Sequence, residues 1–180
     1  VSMENFCSHS LYCGAAAHLL AEQCHMKHAE TVFLGGLLHD IGQLVIFHKE
    51  PQKAKQALLL SIEEHDDLAL HKAEQEIFGF DHAEVGAALL RHWHFPELLI
   101  ESVAFHHAPE QARQHPAEAA LVHIANSIAT LAEIDSVSEA DAVETSPAAW
   151  RVTGLDKSTI EPTVRATQMQ FADMRNLLLG

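Results

Sequence analysis

Gly35-Gly36-Leu37-Leu38-His39-Asp40-Ile41-Gly42-Gln43-Leu44 sets an imidazole and a carboxylate side by side in an apolar run. Burying such a pair costs free energy unless something compensates it. A metal ion is the commonest partner for adjacent His and Asp. The apolar spacing predicts one helix from about Ala29 to Phe47, with Gly35, Gly36 and Gly42 inside it. Glycine in a helix interior is about 1 kcal/mol less favourable than Ala. Three of them imply close helix packing or room for a bound group. Other histidines bracket the pair: His9 upstream, then His82 and His106-His107 downstream. Ligands gathered from several helices are how an all-α bundle builds a metal site in its core.

Outward from this stretch the periodicity stays helical. Leu11, Ala15, His18, Leu19 and Glu22 predict a helix over about Met3 to Gln23. Pro51 opens a third at its tolerated first position, running to Phe78 with a break near His65-Asp66-Asp67 and a stop at Gly79. Asp81 with Glu84 reads as a capping box for a helix from His82 to about His92. Pro96 opens another that ends near His107, and Pro116 opens one carrying Leu121, Ile124, Ile128 and Leu131 on one face. Asp135 to Thr145 reads as an acidic loop with a short helix. Two further starts at Ser146-Pro147 and Ser158 follow, the last helix reaching about Leu179. No strand alternation or internal repeat is seen. The expectation is one all-α helical bundle, with Leu37, Leu38, Ile41, Leu89, Ile100, Ile124 and Ile128 in its core.

Composition narrows the partners. With 180 residues, 48% of them hydrophobic, the chain can bury a real core. Its 25 acidic residues against 11 Lys and Arg give a formal charge of -14. That excludes nucleic acid and anionic membrane surfaces as main partners. Cys7, Cys13 and Cys24 are odd in number and irregular in spacing, which reads as reduced thiols in a cytoplasmic protein. There is no secretory signal, and no apolar run is read as reaching membrane-spanning length. The chain begins with Val1, so it is expected to be a piece of a longer protein.

Neighbours on a helix point about 100° apart. His39 and Asp40 can still serve one dinuclear site, the imidazole on one ion and the carboxylate bridging to the next. Nitrogen and oxygen ligands of this kind suit iron, manganese or zinc. Each residue also has a purely structural reading. His39-Asp40 would be a hydrogen-bonded pair fixing helix packing. His82 would be a surface residue of a first helical turn. His106-His107 would be a helix C-terminus, where the dipole favours cations. Lone histidines such as His18, His25 and His123 read as exposed or as satisfied core residues.

The ordered segments His9-Ser10-Leu11, Gly36 to Gly42 and Phe78 to Gly86, then Trp93, Pro96, His106-His107 and Val122 to Asn126, together resemble the HD superfamily of metal-dependent phosphohydrolases. Within it they are most similar to the HDOD (HD-related output domain) group of bacterial signalling proteins. The resemblance spans about Phe6 to Ala129. It implies an HD-domain-like bundle with a core over about 6–132 and a helical extension over about 138–180, within a longer signalling protein. By likeness to HD-GYP phosphodiesterases, which hydrolyse cyclic-di-GMP, it implies His9, His39, Asp40, His82, His106 and His107 as metal ligands.

Departures fall on charged positions. The last Asp of the pattern is Asn126, the Lys three residues after the HD Asp is Gln43, and a Glu one turn before the first His is Asn5. Asn5, Gln43 and Asn126 are thus expected to line the pocket without the charges that strengthen a metal set and clamp a phosphate. No catalytic residue is assigned. The expected cofactor is iron or manganese, dinuclear or reduced to one ion, with zinc ranked below and a metal-free pocket as the remaining case.

The resemblance leads to a regulatory output domain with a degenerate pocket. Other signalling domains or proteins would be its partners, and a homodimer is compatible. A metal-dependent phosphohydrolase or phosphodiesterase is the alternative. Some HD proteins oxidise substrates at a di-iron centre, but nothing specific in this chain points there.

Overall fold

A computed structural model describes residues 2–64, 69–136 and 145–179. Every regular element among them is helical, and they contain no strand. The order is α1 (Met3–Gln23), α2 (Ala29–Leu38), α3 (Ile41–Lys49), α4 (Pro51–Glu64), α5 (Ala69–Phe78), α6 (His82–His92), α7 (Glu97–Ala104), α8 (Pro116–Glu133), α9 (Pro147–Thr153) and α10 (Ile160–Leu179). Short 3₁₀ turns lie at Pro109–Gln111 and Lys157–Thr159.

Helix α8 is apolar nearly all round and forms the axis. Leu121, Ile124, Ile128 and Leu131 are almost wholly buried. A helix of that pattern must be covered on every side. α1 and α2 cover one face, and Ala149 of α9 with Ile160 and Val164 of α10 join the same apolar cluster. Each large side chain buried there contributes roughly 1.5–3 kcal/mol. A smaller cluster joins α6 and α7 through Ala87, Leu90, Leu99, Ile100 and Val103.

Local chemistry sets most boundaries. Ser2 Oγ accepts the Asn5 N–H at 3.0 Å and starts α1. Asp81 Oδ1 accepts the Glu84 N–H at 3.0 Å and starts α6 as the capping box predicts. Ser146 starts α9 in the same way. Two histidines act as helix stops: His25 and His94 have φ of +54° and +60° just past α1 and α6, where glycine is the usual residue.

Several expectations are corrected. The predicted Ala29–Phe47 helix is two helices, broken at His39-Asp40. The cause is Gly42, at the start of α3. A Cβ there would lie 2.0 Å from the His82 carbonyl and 2.7 Å from the Gly86 amide. So close a seat against α6 forces the chain to change direction just before it. By length and mean hydropathy, 1.3, Ala29–Lys49 does qualify as a membrane-crossing stretch, contrary to the first reading. It is nevertheless broken at the His-Asp pair and donates Val32, Gly35, Gly36, Gly42 and Ile46 to the interior. α7 stops at Ala104, so His106-His107 lie in the turn after it, and Pro96 caps that helix from outside. Leu37, Leu38, Ile41 and Leu89 are only half-buried, whereas Ile100, Ile124 and Ile128 are core residues as expected. The break expected near His65-Asp66-Asp67 and most of the acidic loop lie outside the described residues.

Candidate metal centre

The α2–α3 break turns Asp40 toward the start of α6 and the turn after α7. Its Oδ1 lies 3.1 Å from His82 Nε2 and 3.7 Å from His106 Nε2. Its Oδ2 lies 3.4 Å from His39 Nε2. His107 Nε2 is 2.9 Å from His82 Nε2. Two groups of ligand-type atoms result, His9 with His39 and Asp40, and His82 with His106 and His107, each spanning no more than 4.8 Å. All six sequence-predicted ligands therefore converge, Asp40 belonging to the first group and reaching His82 and His106 of the second through Oδ1.

The orientation of each ring has a cause. His39 Nδ1 donates to the Gly36 carbonyl at 2.7 Å, and His106 Nδ1 to the Val103 carbonyl at 2.8 Å. Both Nε2 atoms are then left inward, fully buried and without a hydrogen-bond partner. Unpaired buried nitrogens are expensive. A ring whose Nδ1 is tied to a carbonyl while Nε2 is free is the arrangement metal-ligating histidines adopt. His82 Nδ1 donates to Glu74 Oε2 at 2.6 Å. His9 differs, for Nδ1 meets Glu133 Oε2 at 3.0 Å and Nε2 meets Asn126 Oδ1 at 2.9 Å.

Charge follows this packing. Burial pushes the His39, His106 and His107 pKa values down, and neighbouring imidazoles add to the effect, most strongly at His106 and His107. Burial acts the same way on His82, but Asp40 and Glu74 outweigh it and hold that ring up at about 10. Burial would raise the Asp40 carboxyl, yet His39, His82 and His106 bring it well below the usual range. At His9 burial is likewise outweighed, by Glu133 and Asp40, so its pKa rises.

An open pocket of about 550 Å³ lies over the His9 side. Asn5 and Gln43 line it as expected, with Phe6, Ser8, Tyr12, Asp40, Glu133 and Phe171. Asn126 reaches the centre through His9 and does not line that pocket. A second pocket, about 610 Å³, opens beside His107 and includes His71, Lys72, Gln75, Asp81 and Glu84.

Sequence reading missed Glu74, Glu133 and His71. His71 stacks on His107, with ring centroids 4.3 Å apart and planes 12° apart. Glu133 lies seven residues after Asn126 on the same face of α8, so two turns of helical spacing was the available signal. Glu74 and His71 lie on α5, among polar residues with no local signature. His123, read as exposed or as a satisfied core residue, is the latter: Nδ1 donates to the His106 carbonyl at 2.7 Å, and Nε2 accepts the Ser146 N–H at 2.9 Å.

Comparison with known proteins gives a match to the HDOD domain profile over residues 1–109. An uncharacterised Treponema pallidum (strain Nichols) protein is 32% identical over 83 residues, 44% of this chain and 16% of that protein. A candidate phosphohydrolase from Shewanella amazonensis SB2B has a structure with TM-score 0.74 at 21% identity, covering 96% of this chain and 64% of its own. A candidate signal transduction protein from Marinobacter aquaeolei VT8 gives 0.76 at 18%, covering 96% and 38%. The chain thus spans less than two thirds of each of these relatives. The two structures share its fold.

Proposed function

Because this chain belongs to the HDOD domain family, we propose that it is a signalling output domain that holds metal in its His/Asp centre without efficient phosphoester hydrolysis. It passes its state on by contact with other signalling domains or proteins in the cytoplasm. One observation carries the non-hydrolytic part. Among the described residues lining the pocket over the His9 side of the centre, Asp40 and Glu133 are carboxylates and none is Lys or Arg, and Lys72 borders only the pocket beside His107. Phosphoryl groups are held by cationic clamps that offset their charge, and Gln43 stands where such a cation would act. The net charge of -14 reinforces the repulsion.

The donor set fits a metal. His39 and His106 present buried, unpartnered Nε2 atoms, and Asp40, grouped with His9 and His39, also reaches His82 and His106 of the other group. His82, His106 and His107 with Asp40 would hold one ion, and His39 with Asp40 and His9 would complete a second. Imidazole and carboxylate together suit iron or manganese, with zinc ranked third. A bound ion would supply Lewis acidity and lower the pKa of a coordinated water. In this chain the surrounding residues orient the imidazoles, and those lining the pocket over His9 supply no Lys or Arg side chain.

A second reading, a metal-dependent phosphohydrolase, is favoured by the reach of Asp40 to both ligand groups, since two-metal clamps catalyse in-line phosphoryl displacement. Elemental analysis of protein purified without chelator, paired with assays on phosphomonoesters and cyclic dinucleotides, separates the two. Bound iron or manganese, lost in Asp40→Ala, with no multiple-turnover hydrolysis is the expected result. Sustained hydrolysis that Asp40→Ala abolishes would install the second reading. Protein free of metal would remove both.

A further inference from the structure

Glu74 stands outside every motif of the sequence. It is on α5, its side chain is 2% exposed, and it approaches the centre from behind His82. Its Oε2 accepts from His82 twice, from Nδ1 at 2.6 Å and from the backbone N–H at 2.8 Å. A buried carboxylate is costly unless its hydrogen bonds compensate it. Here both of these bonds come from one residue. The cap of α6 does not need Glu74, because Asp81 Oδ1 already accepts the Glu84 N–H.

What Glu74 adds is a fixed place for the Nδ1 proton. With that proton directed at the carboxylate, His82 Nε2 is the atom presented to Asp40 and His107. His39 and His106 reach the same end through the Gly36 and Val103 carbonyls. His82 alone of the three uses a charged acceptor. A carboxylate behind a ligating imidazole locks the ring and makes its other nitrogen a better donor to a metal; losing such a partner lowers metal affinity about 10–100-fold. In a centre where His9 Nε2 meets only the neutral amide of Asn126, that extra negative charge matters more.

We propose that Glu74 is a positioning residue of the centre, holding His82 with Nε2 inward and strengthening it as a ligand. This rests on the metal reading above. The test titrates Mn(II) and Zn(II) into wild type and Glu74→Gln, a substitution that keeps the volume and removes the charge. The expected result is binding weakened about 10–100-fold in a variant that keeps the wild-type helical circular dichroism. Affinity within about twofold of wild type in the folded variant would overturn the proposal.

A second readout is independent of metal, namely the ¹H–¹⁵N signal of the His82 Nδ1 proton in metal-free protein. A slowly exchanging signal in wild type that shifts or vanishes in Glu74→Gln supports the assignment. Its absence from wild type overturns it. Should wild type bind neither ion, the metal reading falls and the Nδ1 signal alone decides for Glu74. If the variant does not fold, the wild-type signal decides alone: a slowly exchanging His82 Nδ1 proton supports the assignment and its absence overturns it.

Discussion

At the residue scale, the centre is organised by where each imidazole spends its Nδ1. Carbonyls of Gly36 and Val103 and the carboxylate of Glu74 take those protons, and the Nε2 atoms of His39, His82 and His106 are left around Asp40. Asn126 interrupts the scheme by engaging His9 Nε2 at 2.9 Å. Restoring a carboxylate there should tighten Mn(II) binding, by roughly tenfold or about 1.4 kcal/mol. Calorimetric titration of Asn126→Asp checks this, and unchanged or weaker affinity would place the residue outside the ligand set. Glu101 makes a different use of a buried carboxylate. It accepts the Arg113, Gln114 and His115 N–H groups at 3.3, 2.9 and 2.7 Å and pins the segment leading into α8. Burial would raise its pKa, but the three backbone donors outweigh that and lower it. Glu101→Gln keeps the shape, loses the charge assistance and leaves the N–H groups with a weaker acceptor. Destabilisation of about 2 kcal/mol is expected, given about 1.5–3 kcal/mol for hydrogen bonds to charged groups, and urea unfolding measures it.

At the element scale, the break between α2 and α3 delivers Asp40 to the centre, and it depends on Gly42. Any side chain there meets backbone, the His82 carbonyl at 2.0 Å and the Gly86 amide at 2.7 Å. Backbone cannot rotate away as a side-chain tip can. Gly42→Ala should therefore cost at least the roughly 1–3 kcal/mol typical of overpacking, and it should displace His82 from Asp40. A thermal melt together with metal titration of the variant tests both effects; a melt unchanged from wild type would show that α3 and α6 can separate without loss. The same junction marks the limit of what was legible beforehand. Apolar periodicity gave the helices, their caps and the all-α class, because those signals are local. The close glycines signalled tight packing or a cavity, but periodicity runs unbroken from Ala29 to Phe47, so the turn at His39-Asp40 was hidden. It arises from α6, more than forty residues away. The six candidate ligands, five histidines and Asp40, were readable as an ordered set. Their braces were not. Glu74 and His71 look like ordinary polar residues of α5 until that helix is placed against α6 and the turn after α7.

At the scale of the whole molecule, the centre makes the stability of the metal-free fold depend on pH. His39, His106 and His107 are held neutral in the folded chain, chiefly by burial. The unfolded chain binds protons on these residues below their ordinary value of about 6.5. As pH falls through that value the unfolded state gains protons that the folded state refuses, and stability drops. Each such histidine contributes a slope of up to about 1.4 kcal/mol per pH unit until its folded pKa is reached. His82 works with the opposite sign. Its pKa is raised to about 10, so its contribution is complete below about 6.5, declines as pH rises above that value and is gone once pH has climbed through about 10. The raised His9 likewise contributes fully below about 6.5 and does not vary there. Asp40, with a lowered pKa, contributes fully above about 3.9 and fails only in stronger acid. Between about pH 6.5 and 5 the three neutral histidines therefore decide the sign, and the lowered His71 and His123 act in the same direction. The melting midpoint of chelator-treated protein should fall steadily across that interval. Protein loaded with Mn(II) should start higher, because the ion binds only the folded ligand set, and fall more steeply, because protons displace the ion. Melts at half-unit pH steps with and without metal read both slopes. A midpoint that holds level or rises toward pH 5 in the metal-free protein would mean that the imidazoles around Asp40 accept protons where they stand.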